Sequence, residues 1–199
     1  MQKIMLATIV LLLLAGSSLS PAGARPTGIS GVPNGCSCHS ASPAEDVQVT
    51  LDGVPQSYTA GDEMTLTVAI TGGPEVTNVS INQGGFNLVA SDGTFSTLDG
   101  TTQLMAGEAT HTEAGNDQRS WQINWTAPSD NIQDITFTAH GNSVNGDNAA
   151  SDEDHWNKTV AVSAGVGVIA PPNDETPGFG LLIGLLSLSV VAISLRPRD

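Results

Sequence analysis

Positive charge is what this sequence has least of: six lysines and arginines stand against twenty acidic residues over 199 positions, a formal net of −14. That balance excludes nucleic-acid binding, which needs basic side chains against phosphates, and electrostatic docking onto an anionic lipid surface. Aromatic residues are also few, three Trp, four Phe and one Tyr, so each matters to a core. Cysteine is confined to Cys36 and Cys38, one residue apart, which excludes a disulfide joining two sheets of a folded domain. No Ser-His-Asp arrangement, phosphate-cradling glycine loop or paired-carboxylate motif has a recognisable context, so catalysis is not expected. No stretch between residues 47 and 164 keeps a helical period.

What is present begins with the two ends. Lys3, the apolar run Ile4 to Ala15 and the small residues Ala22-Gly23-Ala24 read as a signal peptide over residues 1–24, cleaved after Ala24. Phe179 to Leu195 carries no charge and precedes Arg196-Pro197-Arg198, the pattern of a transmembrane helix of roughly 25 Å with its basic end inside. Thr176-Pro177-Gly178-Phe179-Gly180 stands immediately before it. Motif, apolar run and basic tail together resemble the PGF-type C-terminal sorting signal of archaeal surface proteins. That resemblance implies that residues 177–199 are a membrane anchor or are exchanged for a lipid. The chain is therefore expected at the extracellular face of the cell membrane, tethered by its C-terminus. Between the ends, Arg25, Arg119 and Lys158 face nineteen acidic residues, a net of −16. Export makes Asn78, Asn124 and Asn157, each in an Asn-x-Ser/Thr triplet, candidate glycosylation sites.

The middle of the chain alternates. Val47, Val49 and Leu51; Met64, Leu66, Val68 and Ile70; Phe86, Leu88 and Ala90; Trp121, Ile123 and Trp125; and Ile135, Phe137 and Ala139 each recur at every second position. Period two marks half-buried strands. Turn pairs such as Asp52-Gly53, Gly61-Asp62, Asp92-Gly93 and Asp99-Gly100 separate them. Seven or eight short strands are expected, in an all-β, immunoglobulin-like antiparallel β-sandwich over residues 47–164. Trp121 and Trp125 share parity and belong to its core. Residues 25–46, rich in Gly, Pro and Ser, form an irregular lead-in, and 165–176 read as a stalk.

One constellation could carry chemistry: Cys36-Ser37-Cys38-His39, in the lead-in. Covalent haem attachment ordinarily uses Cys-x-x-Cys-His, with two thioethers and an axial histidine. Here the spacer is one residue shorter. A strained local disulfide and a Cu or Zn site built on the thiolates and a histidine are the alternatives. Asp147, Asp152, Glu153, Asp154 and His155 form an acidic cluster that matches no EF-hand spacing and reads as a solvated loop rather than a calcium site.

Several further motifs occur in order: Tyr58-Thr59-Ala60-Gly61-Asp62, Gly85-Phe86-Asn87-Leu88, Thr110-His111-Thr112, Trp121 through Pro128, and Gly141 through Asp147. With the Cys-His segment they resemble the choice-of-anchor V domain family, related to the Reeler domain, over roughly residues 28 to 164. The resemblance implies an immunoglobulin-like fold, a surface location and a haem or metal site near the Cys-His motif, and no catalytic activity. On this reading one haem c is bound through Cys36, Cys38 and His39. His111 is the sixth iron ligand, ahead of Met105 and His140, and the function is electron transfer or redox sensing with an unnamed redox partner. His140 is out of phase with Phe137 and Ala139 and is expected away from the core, in solvent. The alternative function is a structural or adhesive surface module without a cofactor.

Overall fold

The structure is a computed structural model that describes residues 25–76 and 81–167. The expected signal peptide and the expected membrane segment lie outside those residues. Among the described residues no helix is long and apolar enough to cross a membrane, so the expected transmembrane helix has no counterpart there.

Ten strands follow one another, with a single short 3-10 turn at Glu113–Gly115 as the helical element among the described residues. They are β1 (Val47–Asp52), β2 (Ser57–Tyr58), β3 (Glu63–Gly72), β4 (Gly84–Ala90), β5 (Thr94–Thr97), β6 (Thr102–Met105), β7 (Glu108–His111), β8 (Ser120–Thr126), β9 (Ile135–Ser143) and β10 (His155–Gly165). The smaller sheet has the order β1-β3-β8-β5 and the larger the order β2-β10-β9-β4-β7-β6. All pairings are antiparallel except the two-residue contact of β2 with β10. Two sheets face each other as a sandwich, as the alternation requires: each strand turns one set of side chains inward.

Register brings the apolar positions together. On the smaller sheet Leu66 lies opposite Ile123, Val68 opposite Trp121, and Met64 opposite Trp125. From the larger sheet Phe86 packs on Trp121 with ring centroids 4.8 Å apart, and Phe137 meets Trp125 edge-on at 4.9 Å. Both indole N–H groups are bonded, Trp121 to the Gly115 carbonyl at 2.7 Å and Trp125 to the Asp92 carbonyl at 3.0 Å. A buried indole thus leaves no unpaired donor.

Strand β10 breaks the pattern. Its outward Val160 and Val162 are exposed, while Ala161 and the buried Ser163 turn inward, so hydrophobicity points the wrong way. Strands β4 and β9 break it differently: Gly84 to Leu88 and Ala139 to Ser143 are buried on both faces. One face of those strands meets the core. The other is covered by the lead-in.

Candidate functional site

Most of the lead-in, residues 25–43, crosses the outer face of the larger sheet as a strap. It has no strand to pair with, so its backbone groups are satisfied by side chains standing on that face. Ile29 N–H donates to Thr110 Oγ1 at 3.1 Å, and the Ile29 carbonyl accepts from Asn87 Nδ2 at 3.3 Å. Glu108 Oε2 accepts from Gly31 N–H at 3.0 Å and from Asn87 Nδ2 at 2.6 Å. At the far end the Trp156 indole N–H donates to the Ser40 carbonyl at 2.8 Å. Gly35 rests on the face of that indole with φ of 87°, and a Cβ there would run into the ring. Only glycine fits both demands.

Within the strap Cys36 to His39 form a tight turn, His39 N–H donating to the Cys36 carbonyl at 2.9 Å. The turn aims the His39 ring at the start of β10, where Asp154 is fully buried. His39 Nδ1 lies 2.8 Å from Asp154 Oδ2, and Asp154 Oδ1 accepts from Asn145 N–H at 3.0 Å. A buried carboxylate needs such donors, and here it has one on each oxygen.

Between strap and sheet lies a cavity of about 110 Å3. Cys36, Cys38, His39 and His111 all border it, so the structure does bring the four expected site residues together around one space. Their states, however, are those of structural groups. His111 is buried, its Nδ1 accepting from Phe86 N–H at 3.2 Å. Burial pushes its pKa down, with the Phe86 and Arg25 backbone partly opposing. Gly85 makes room for it, since a Cβ at that position would lie 2.5 Å from the ring. Cys36 and Cys38 are free thiols, Cys36 half-buried and Cys38 exposed. Burial, with Cys38 beside it, pushes the Cys36 thiol up to about 12, so it stays protonated.

These observations correct the expected cofactor. Among the described residues no three His, Cys, Asp or Glu side chains converge in a group that could hold a metal ion. His39 Nδ1 faces Asp154, His111 Nδ1 accepts from the Phe86 amide, and Cys36 and Cys38 stand as free thiols. Haem c, with His39 and His111 as iron ligands and Cys36 and Cys38 as its attachment, does not fit this arrangement. Neither does a Cu or Zn centre. The local disulfide is likewise not formed.

The remaining expected positions are distributed elsewhere. Met105 ends β6, away from the cavity. His140 does point away from the core, as its phase requires, but it is not solvated: it is 2% exposed under the strap, and neither ring nitrogen has a hydrogen-bond partner. Its ring lies 6.4 Å from that of Trp156. Asn124 Oδ1 accepts from Thr65 Oγ1 at 2.8 Å, and Asn157 Nδ2 donates to the carbonyls of Ala44 and Val47. Asn78 lies outside the described residues. The acidic cluster disperses, Asp147 bonding Ala149 N–H and Glu153 bonding Asn145 Nδ2. Asp154, which the sequence placed in a solvated acidic loop, is instead fully buried, and Trp156 is a position the sequence reading missed. The signal for them was an aromatic residue directly after an acid-rich loop, where a solvated segment has no use for an indole.

No family model matches the chain and no curated protein matches it in sequence. Among solved structures it is similar at a distance to the reeler domain fold. The human F-spondin reeler domain aligns over 74% of this chain and 99% of its own length, at 18% identity and a TM-score of 0.38. The Reelin-N domain of F-spondin aligns over 57% and 86%, at 18% identity and 0.37. A conjugative transposon lipoprotein from Bacteroides eggerthii aligns over 59% and 97%, at 10% identity and 0.36.

Proposed function

We propose that this chain is a non-enzymatic surface module, structural or adhesive, built on an immunoglobulin-like sandwich of the choice-of-anchor V type. It is exported and held at the outer face of the membrane through its C-terminal segment. The observation that carries this reading is the His39–Asp154 pair at 2.8 Å, which joins the strap to the start of β10 across 115 positions of the chain. The Ser40 carbonyl, which accepts from the Trp156 indole at 2.8 Å, serves the same end. What the arrangement yields is a rigid face. Side chains locked by packing and hydrogen bonds lose little entropy when a partner docks, which suits recognition more than turnover. The high negative charge directs that recognition toward neutral or cationic partners and away from anionic ones.

Two measurements test the reading. Intact mass of the chain isolated from its own cells should show Cys36 and Cys38 carrying no covalent group. Cells deprived of the chain should attach less well to one another or to a surface, and should recover when it is restored. An adduct on the two cysteines, or attachment unchanged by loss of the chain, would overturn it.

A further inference from the structure

We propose that the outer edge of β10 is a docking site for a short extended segment of a partner protein, one with apolar residues at alternate positions and Lys or Arg at one end. This deepens the adhesive reading and rests on it, since it names where a partner docks and what that partner offers. Four of the six large apolar side chains that stand exposed among the described residues lie on this one stripe: Val160, Val162, Val166 and Ile132, each more than half exposed. Val160 and Val162 share the outer face of β10, and Val166 follows just beyond its end. Ile132 is brought beside Val166 because Gly167 N–H donates to the Asn131 carbonyl and Gly165 N–H to Asp134 Oδ1, both at 2.9 Å.

The backbone beside this stripe is open. On the side of β10 away from β9, the Trp156 carbonyl accepts from Ala44 N–H at 2.8 Å and Ala164 N–H donates to the Gln56 carbonyl at 2.9 Å. Backbone groups alternate sides along a strand, so those of Val160 and Val162 face the same way. Among the described residues no strand pairs with them there, because β2 reaches only Ala164 and Gly165. An incoming strand finds main-chain partners on that edge and valines to pack against on the outer face. Between Ala44 and Gln56 there is room for about five residues, roughly 17 Å. A second copy does not fit: its β10 is eleven residues long and carries its own Ala44 and Gln56 on the same edge. Charge then orients the guest. Asp130 and Asp134 flank Ile132 at the β2 end, while the exposed Lys158 stands at the other. Burial, and after it Asp130, Asp92 and Asp134, push the phenol of Tyr58 on β2 up, as a negative field at that end requires. The basic end of the guest belongs there.

Two blocked peptides, Lys-Lys-Val-Thr-Val-Thr and Glu-Glu-Val-Thr-Val-Thr, are the probes; lying antiparallel to β10, each brings its charged end to Asp130 and Asp134. The full chain, solubilised in detergent, is titrated with each while methyl and amide resonances are followed by NMR. The lysine peptide is expected to shift the methyls of Val160, Val162 and Ile132 saturably, to slow solvent exchange of the Val160 and Val162 amides, and to leave the exposed Leu98 and Leu104 methyls in place. The glutamate peptide should bind about three- to tenfold more weakly, the worth of two exposed ion pairs. Asp130→Asn with Asp134→Asn, whose side-chain carbonyls still accept from Ile132 and Gly165 N–H, should remove that preference. Val162→Pro takes one N–H from the open edge and none from the β9 ladder, so it should abolish binding. Absence of saturable shifts in the wild-type chain would overturn the site even if no variant folds. Shifts of the same valines on concentrating the chain alone would overturn it too, since the occupant would then be a second copy, and equal binding of both peptides would overturn the choice of a basic partner. If the lysine peptide binds as expected while cells deprived of the chain attach normally, the adhesive reading fails and the docking edge stands, so the two failures are distinct.

Discussion

Asp154 is the residue on which the strap hangs, and removing its carboxylate gives the sharpest test of how the site is held. Asp154→Ala deletes two acceptors at once, one bonded to His39 Nδ1 at 2.8 Å and one to Asn145 N–H at 3.0 Å. Hydrogen bonds that involve a charged group contribute about 1.5–3 kcal/mol each. The lower end applies to His39, whose side chain is 16% exposed, so that water takes over part of the lost contact. The Asn145 amide is less readily resolvated, and the two losses together come to about 3 kcal/mol. For a domain of this size that corresponds to a fall in Tm of roughly 10 °C. Asp154→Asn should cost only about 1 kcal/mol, since its carbonyl still accepts from Asn145 and its amide can donate to the other tautomer of His39. Thermal unfolding of the full chain followed by circular dichroism, with His39→Ala and the double variant completing a cycle, separates the pair from its surroundings. A coupling of about 1 kcal/mol is expected. If Asp154→Ala melts within 2 °C of the wild type, or the cycle closes additively within about 0.3 kcal/mol, the strap is held by something else.

His140 and His111 are both pushed down by burial, His140 further by Lys158 and against the pull of Glu108. Each is neutral in the folded state and gains its proton more readily when unfolded, so stability is full above about pH 6.5 and falls as pH drops below it. His140→Leu should therefore melt no lower than the wild type at pH 7, because it removes two unpartnered nitrogens, and should show a shallower loss between pH 6.5 and 5; a steeper loss would refute the assignment. Replacing both Cys36 and Cys38 by Ser should leave a single cooperative unfolding transition with Tm lowered by only a few degrees, as their sulfurs anchor no core contact. In the wild type a thiol reagent at pH 8 should label Cys38 first and Cys36 much more slowly, and equal labelling would contradict the raised Cys36 pKa.

The parts of the fold that could be read from the sequence are those where one face is buried and the other wet. Leu66, Val68 and Ile70 on β3 and Trp121, Ile123 and Trp125 on β8 announce themselves because their neighbours are polar. Strand β10 does not, since Val160 and Val162 are on the solvent side and Ser163 is inside. The short strands β5, β6 and β7 offer four residues each, too few for a period to emerge. At the site the sequence indicated which residues would gather but not what they would do there. Cys36, Cys38, His39 and His111 share one cavity, yet their roles follow from partners far away in the chain. Nothing local to His39 points to Asp154, and the phase of His140 tells its direction without telling that a strap covers it.

The strap also sets an order of events. The Ser40–Trp156 bond joins residues 116 positions apart, and His39 and Asp154 are separated by 115. Closing so long a loop is entropically disfavoured until the sandwich itself has brought the ends close, so the first described segment of the chain is the last to dock. In a chain that emerges N-terminus first, Cys36 and Cys38 leave the ribosome early and remain in open solvent until β10 has joined its sheet. The reactivity of these thiols is therefore a matter of time as well as of place. While the strap is loose both are ordinary exposed cysteines, and when it closes Cys36 is withdrawn, so that any enzyme or reagent acting on the pair has the interval before the final strand pairs in which to do so.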